Sequence, residues 1–468
     1  MLKVLLINAP ARGTEHEAIV VPPLGLAYVG AVARQAGHDV TILDAFGEGL
    51  TWPQFARRLE AARYDVIGLT GMTPVFDTTR RAIAVAREHA RHLVLGGPHA
   101  TVFRDRVLAD NAALDFAVFG EGERTFVELL GALDSGAPAE GIPGLVTRQG
   151  AGPARPLIAD LNSLPFPARD LLPNTHYRYP LCGSARMTTV FTSRGCPYSC
   201  IFCDKGVFGS GWRMRDAENV LAEIDELVAR YGVRSVVFYD DLFTLNKPRL
   251  RAICEGLIRR NHRLRWKAEG RVDLVDADLL VLMRRAGCDT IAYGVESANQ
   301  AGLDYIGKRT TPEQARRAFA QTRKAGIKTL AYFILGIPVE TYDDAMNTIR
   351  FARQIKADFA QFAILSPLPG TRLHEEAVEK GWYREVPAQS VGDKNILRPV
   401  VISENWDERR LVSIVRAAHR MFYLRPSYVL GSLLRVRGLG DLGELCRLGA
   451  GMVRYVFGRR KPRRKTGT

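Results

Sequence analysis

Three cysteines fall within eight residues, in the run Ser193-Arg194-Gly195-Cys196-Pro197-Tyr198-Ser199-Cys200-Ile201-Phe202-Cys203. Three thiolates on one short loop can each hold one iron of a four-iron cube, and one iron then lacks a protein ligand. An iron with an open position can chelate a small molecule, which turns an electron carrier into a reaction centre. The competing chemistry is zinc, held by the same thiolates and a fourth ligand such as Cys182 or His176. Zinc sites more often pair two separated Cys-x-x-Cys knuckles, and this chain has no second one.

The elements that must position this loop form a β/α series. Apolar runs predict strands at Thr188–Thr192, Ser235–Tyr239, Arg265–Ala268, Thr290–Gly294, Thr329–Leu335 and Gln361–Leu365. Amphipathic stretches at Ala217–Tyr231, Pro248–Arg260, Ala277–Ala286, Pro312–Ala325 and Tyr342–Ile355 predict the helices between them. Six such units make an open or partial (β/α)6 barrel, with chemistry at the carboxyl ends of its strands. The cysteine loop follows the first of these strands.

A second α/β series precedes it. Strands are predicted at Lys3–Ile7, Val40–Leu43, Val66–Thr70, Leu93–Leu95 and Phe116–Phe119, with helices at Leu24–Gln35, Phe55–Ala62, Thr78–His89 and Glu123–Leu133. Five buried-looking strands alternating with helices predict a doubly wound parallel sheet, which takes ligands at its carboxyl edge. That edge carries Asn8-Ala9-Pro10, Thr70-Gly71-Met72, Gly96-Gly97-Pro98-His99 and Gly120-Glu121-Gly122-Glu123. Glycine there lets backbone approach a flat or phosphate-bearing ligand, and tight turns account for it as well.

Residues 1–150 therefore read as one domain, a proline-rich stretch at 151–185 as a linker, 186–400 as the barrel and 401–468 as a helical, basic extension. From Val401 onward there are 15 Lys or Arg against 5 Asp or Glu, in a chain of net charge +15. Such a tail is a solvated segment, a contact with anionic lipid, or a segment packed back on the barrel. No run of 18 apolar residues predicts a membrane span, and the first residues lack the pattern of a secretory signal. Seven cysteines, an odd number in a long chain, do not suggest a disulfide framework, and the clustering of three within eight residues points to metal chemistry in a reducing cytoplasm. No nucleic-acid-binding module is recognisable.

At the cysteine loop the chain resembles the radical S-adenosylmethionine (SAM) superfamily. Its signature, Cys-x3-Cys-x2-Cys with an aromatic before the last Cys, is met by Cys196, Cys200, Cys203 and Phe202, flanked by Arg194-Gly195 and Asp204. The resemblance implies a 4Fe-4S cluster on the three cysteines, with SAM on the open iron. Reduction by an external donor such as flavodoxin or ferredoxin would release a 5′-deoxyadenosyl radical. It also implies SAM contacts from Phe202, Asp240, Arg271, Glu296, Ser297 and Gly336, each near a strand end. Leu335-Gly336-Ile337-Pro338-Val339-Glu340-Thr341 looks like the family's Gly-x-Pro-Gly-Glu-Thr turn, with Val339 in place of the second glycine.

With its front domain, the chain is similar to the cobalamin-binding radical SAM class over about residues 1–400. Pro23-Leu24-Gly25-Leu26, Ile42-Leu43-Asp44-Ala45, Gly96-Gly97-Pro98-His99-Ala100-Thr101 and Gly120-Glu121-Gly122-Glu123 carry this part. The implied cobalamin contacts are Asn8, Thr70, Gly71, Met72, Gly96, Gly97, Pro98, His99, Gly120, Glu121, Gly122 and Glu123. The Asp-x-His that ligates cobalt in cobalamin mutases is absent, so the resemblance implies cobalt without a protein histidine. His99 then orients a phosphate or amide side chain or caps a turn. The class implies radical methylation of an unactivated carbon of a small or lipid-like metabolite, in the cytoplasm and peripheral to the membrane if the basic tail binds lipid. The other readings are ring formation without methyl transfer, as in the anaerobic porphyrin-ester cyclase, and a binding module without turnover. Methylthiolation of tRNA is set aside, because that family needs three more cysteines in a front domain and the first cysteine here is Cys182.

Overall fold

In the computed structural model, which describes residues 1–10, 19–182, 186–387 and 397–433, the front series folds largely as its periodicity dictates. The order is β1 (Lys3–Asn8), α1 (Leu24–Gln35), β2 (Asp39–Asp44), α2 (Trp52–Glu60), β3 (Tyr64–Thr70), α3 (Phe76–Ala86), β4 (Ala90–Gly96), α4 (Pro98–Phe103), β5 (Phe116–Val118) and α5 (Gly122–Ser135). The strands pair in parallel in the order β2-β1-β3-β4-β5. Alternate residues of β1 enter opposite layers: Leu5 and Ile7 join one core, Val4 and Leu6 the other. Burial on both faces is why these strands read as unbroken apolar runs. The strand order reverses between β1 and β3, so the switch point of the sheet falls at the carboxyl ends that carry Asn8 and Thr70.

Two further strands, β6 (Leu145–Thr147) and β7 (Gly150–Ala151), extend this sheet antiparallel beyond β5. The sequence reading stopped at the fifth strand. Elements of three and two residues are too short to display an alternation.

The second series runs β8 (Met187–Val190), β9 (Ser193–Arg194), β10 (Arg213–Met214), α6 (Ala217–Tyr231), β11 (Ser235–Phe238), α7 (Lys247–Arg260), β12 (Arg265–Gly270), α8 (Ala277–Arg285) and β13 (Cys288–Glu296). It continues with α9 (Gln300–Tyr305), α10 (Pro312–Lys324), β14 (Lys328–Leu335), α11 (Tyr342–Gln354), β15 (Phe359–Ile364), α12 (Arg372–Glu379), β16 (Tyr383–Pro387), β17 (Leu397–Val401), α13 (Glu408–Tyr423) and α14 (Pro426–Leu433). Setting aside the short β9–β10 pair and the additional six-residue helix α9, the order from β8 to β15 is the strand–helix alternation expected of a partial barrel. Helix starts are chemically marked: Asn246 caps α7 by accepting from Arg249 N at 2.9 Å, and Thr341 caps α11 in a capping box with Asp344.

By contacts the chain forms two units, and the division runs through the barrel series. The first holds Met1–Tyr198, Asp204–Ala292 and Gln321–Lys328; the second holds Ser199–Cys203, Tyr293–Ala320 and the chain from Thr329. In the first unit β8, β11 and β12 are parallel neighbours, with Val236 opposite both Thr188 and Trp266. In the second, β14 and β15 are parallel from Leu330↔Phe359 to Leu335↔Ile364, and Ile201, Leu303, Ile306, Ile334 and Leu373 pack together.

Within the second unit, the start of the C-terminal extension packs back on barrel elements. Trp406 Nε1 donates to Ile337 O at 2.9 Å, and Ala360 N donates to the Tyr423 hydroxyl at 3.0 Å. The basic stretch through Tyr455-Val456-Phe457-Gly458 and the side chain of Cys182 lie outside the described residues. Among the described residues no helix is long and apolar enough to cross a membrane.

Candidate functional site

The cysteine loop is rooted in the first unit. Ser193 and Arg194 of β9 pair antiparallel with Met214 and Arg213 of β10. Gly195 turns the chain at φ 85°, where an added Cβ would meet Gly211 O at 2.4 Å, so no side chain fits. Asp240, just past β11, is 1% exposed and accepts from Thr192 N at 2.6 Å and Ser193 Oγ at 2.7 Å. Burial raises its carboxyl above the usual range, opposed by Arg249 and these hydrogen bonds. Asp240 thus braces the strand that leads into the loop. Arg271, just past β12, lies 3.6 Å over the Tyr198 ring and pairs with Asp273 at 3.0 Å. That cation–π contact pins the middle of the loop.

The rest of the loop belongs to the second unit. Ile201 N donates to Ile306 O at 3.1 Å, and Leu373 N donates to Ile201 O at 2.9 Å. Gly307, at φ 69°, lies beneath the loop, where an added Cβ would meet Ser199 O at 2.9 Å. Phe202 packs against the core that holds Ile201 and Leu303. Glu296 ends β13 at φ 65°, unusual for a residue with a side chain, and accepts from Lys308 Nζ at 2.7 Å. Ser297 Oγ donates to Glu340, whose carboxyl is raised by burial. Gly336 stands at φ 86° after β14, where a Cβ would meet Leu411 Cδ2 at 2.5 Å.

At the carboxyl edge of the front sheet, the Asn8 side chain donates to Asp44 Oδ1 at 2.8 Å, and the buried Asp44 also accepts from Gly47 N and the Tyr177 hydroxyl. Gly71 N donates to Gly96 O at 2.9 Å, and Gly120 N donates to Thr101 Oγ1 at 3.0 Å. Pro98 opens α4 at a position that needs no N–H. Met72 is 57% exposed at this edge. The His99 ring stacks on Phe76 at 3.5 Å, and burial pushes its pKa down to about 4, so it is neutral at pH 7. The carboxylates of Glu121 and Glu123 are paired with Arg194. Gly122 follows within the same turn, at the start of α5.

The residues present fit the implied groups. Cys196 and Cys200 are partly exposed, Cys203 is exposed, and none of the three is in a disulfide. Cys254 and Cys288 are buried, and burial raises the Cys254 thiol to about 12 and the Cys288 thiol well above its ordinary value. Among the described cysteines, only the loop thiols therefore offer the thiolates that iron requires. The front edge offers glycine-rich backbone at a switch point, as a flat macrocycle requires, and its stacked histidine is occupied by Phe76. Gly97→Ala tests this edge: at φ 91° its Cβ would meet Thr70 Oγ1 at 2.7 Å and Gly71 O at 3.0 Å. The expected result is a loss of about 1–3 kcal/mol in denaturant unfolding, with weaker hydroxocobalamin uptake.

Sequence reasoning overlooked Thr192, Tyr198 and Lys308, which support the loop and Glu296, and gave Arg194 and Glu340 no role of their own. The signal for Glu340 was its place in the Pro338-Val339-Glu340-Thr341 turn. The others become visible only through long-range contacts.

Comparison with known proteins agrees with this geometry. The sequence profile described as the Radical SAM superfamily matches residues 190–352, and the B12 binding domain matches residues 18–130. The chain is 33% identical to an uncharacterized methyltransferase of Pyrococcus horikoshii, over 94% of this chain and 96% of that protein. It is 30% identical to the anaerobic magnesium-protoporphyrin IX monomethyl ester cyclase of Rubrivivax gelatinosus, over 87% of this chain and 75% of that one. The structure of the radical SAM methyltransferase TsrM from Kitasatospora setae, with cobalamin and a [4Fe-4S] cluster bound, superposes with a TM-score of 0.73 at 18% identity. That superposition covers 96% of this chain and 99% of that one, and it shows the shared fold.

Proposed function

This chain belongs to the cobalamin-binding radical SAM enzymes, and from that membership we propose that it methylates an unactivated carbon of a small or lipid-like metabolite. The observation that carries the reading is the three-thiol loop, with its accessible cysteines set apart from the buried pair, in a chain 33% identical to a protein named as an uncharacterized methyltransferase. When bound, the cluster, SAM and the corrinoid supply radical formation and the methyl group; the chain holds and orients them.

In this reading Cys196, Cys200 and Cys203 each hold one iron. Tyr198, under Arg271, keeps the loop from swinging away. For SAM, the first unit would offer Asp240 and Arg271, and the second Phe202, Glu296, Ser297 and Gly336, with Arg271, Glu296 and Ser297 serving its carboxylate and ribose. Asn8, Thr70, Gly71, Met72, Gly96, Gly97, Pro98, His99 and the Gly120–Glu123 turn receive the corrinoid. No side chain is assigned as a general base, since hydrogen abstraction by a carbon radical needs none. Residues 1–150 serve the corrinoid, 151–185 link, 186–400 carry the radical chemistry and 401–468 form the extension. Reduction comes from an external flavodoxin- or ferredoxin-like protein, and we place the enzyme in the cytoplasm, with any lipid contact made by the basic tail.

The test is anaerobic reconstitution with iron, sulfide and hydroxocobalamin, followed by SAM, a reductant and extracts of candidate metabolites. The expected outcome is 5′-deoxyadenosine together with a product heavier by one methylene, whose new carbon comes from the SAM methyl. A product lighter by two hydrogens, with no methyl gained, would establish the ring-forming reading that the cyclase relative favours.

A further inference from the structure

Arg194 stands two residues ahead of the first cluster cysteine, and the residue is 4% exposed. Its Nη1 donates to Glu121 Oε1 at 2.8 Å and its Nη2 to Glu123 Oε1 at 2.6 Å. Arg213, opposite Arg194 in the β9–β10 pair, donates from Nη1 to both Glu121 oxygens at 2.9 Å, and Ile158 N donates to Glu121 Oε2 at 2.7 Å. Two guanidiniums thus meet two carboxylates, with Glu121 and Glu123 only 6% and 5% exposed. The Arg194 guanidinium also lies 5.2 Å from the ring centroids of both Tyr28, on α1, and Phe208.

A buried network of this kind contributes little net stability, because desolvating the ions offsets their attraction; its best-attested use is to set register. The two ends it joins are far apart in sequence, by 73 and 71 residues. One end is the turn after β5, at the carboxyl edge of the front sheet. The other is the root of the cysteine loop. Gly195 is the single residue between Arg194 and Cys196, and its surroundings are close enough that an added Cβ would meet Gly211 O at 2.4 Å and Phe208 O at 3.0 Å.

We infer that Arg194 is a positioning residue, clamping the Gly120–Glu123 turn to the root of the cysteine loop and so setting the distance between corrinoid and cluster-bound SAM. The inference rests on the cobalamin radical SAM reading. It leaves the Glu121 and Glu123 carboxylates to the clamp, and the backbone of the turn to the corrinoid.

The test uses the full chain, anaerobically reconstituted with iron, sulfide and hydroxocobalamin, given SAM and titanium(III) citrate. Two products are read without any substrate. 5′-Deoxyadenosine reports SAM cleavage at the cluster. S-adenosylhomocysteine reports methyl transfer to the reduced corrinoid, in which the cobalt(I) electron pair forms the new bond and the sulfur keeps the pair of the broken one. In Arg194→Met, 5′-deoxyadenosine stays within about threefold of wild type while S-adenosylhomocysteine falls at least about tenfold, the scale of a misplacement near 1 Å. Arg213→Met, which takes the second guanidinium from Glu121 and keeps both Arg194 pairs, gives a smaller fall in the same ratio at unchanged iron and corrinoid content, and carries the test should Arg194→Met fail to fold. An unchanged product ratio in variants that hold both cofactors overturns the clamp alone. Wild-type protein that binds no corrinoid and forms no S-adenosylhomocysteine overturns the functional reading, and the clamp with it.

Discussion

Replacing any one of Cys196, Cys200 and Cys203 with alanine is expected to abolish 5′-deoxyadenosine formation and to drop iron and sulfide from about four per chain to near background. In the proposed site each thiolate would hold a different iron, so none could substitute for another. Cys254→Ala and Cys288→Ala are the controls, because both thiols are buried and pushed away from ionisation by that burial. They should keep full iron content and activity while losing about 1–2 kcal/mol of stability from lost packing. Iron and sulfide analysis, the visible spectrum of the cluster and product chromatography read all five variants. Iron retained in the loop variants, or lost in the controls, would sink the assignment.

The second large effect is on stability. Glu223, on α6, is 1% exposed and is held by Arg169 at 2.7 Å and by Arg215 through its other oxygen. Arg169 also donates to Thr188 Oγ1 at 2.7 Å and Thr189 O at 2.8 Å, and Arg215 donates to Phe191 O at 2.9 Å. The three charges therefore fasten the strand that delivers the cysteine loop. Glu223→Ala leaves two buried guanidiniums without a counter-charge and is expected to cost about 3–5 kcal/mol. In a thermal melt that is a drop on the order of 10 °C, with poorer cluster retention.

Its pH dependence has a defined sign. Burial raises the Glu223 carboxyl, but the charges and hydrogen bonds of Arg169 and Arg215 outweigh burial and hold it below its ordinary value of 4.5. A carboxylate depressed on folding stabilises the protein above its unfolded pKa, and that contribution disappears as pH falls through the folded value. The gap in melting temperature between wild type and Glu223→Gln should accordingly be full at pH 7 and narrow below about pH 4.5. A gap that stays constant down to pH 3 would show that packing, and not charge, carries the effect.

Much of the architecture was legible before any coordinates. The predicted bounds of α1 and α6, Leu24–Gln35 and Ala217–Tyr231, are the ones observed. The strand ends were placed well enough to locate Asn8, Gly96 and Gly336 at carboxyl edges. What escaped was short or non-local. The β6, β7, β9 and β10 segments have two or three residues each. Strands β16 and β17, of five residues each, draw their register only from one another.

The division between the two kinds of information follows from range. The spacing of Cys196, Cys200 and Cys203, the glycines at strand ends and the 3.6- and 2-residue periods are properties of neighbouring residues, and sequence alone determined them. Which charges end up facing one another was decided by folding. Glu121 and Glu123 looked like ligand contacts beside their glycines, and Asp240 like a contact to SAM. In the folded chain the glutamates pair with an arginine more than 70 residues away, and Asp240 accepts from Thr192 and Ser193. A polar group withdrawn from water must find a partner wherever the chain brings one, and only the assembled structure says which partner that is.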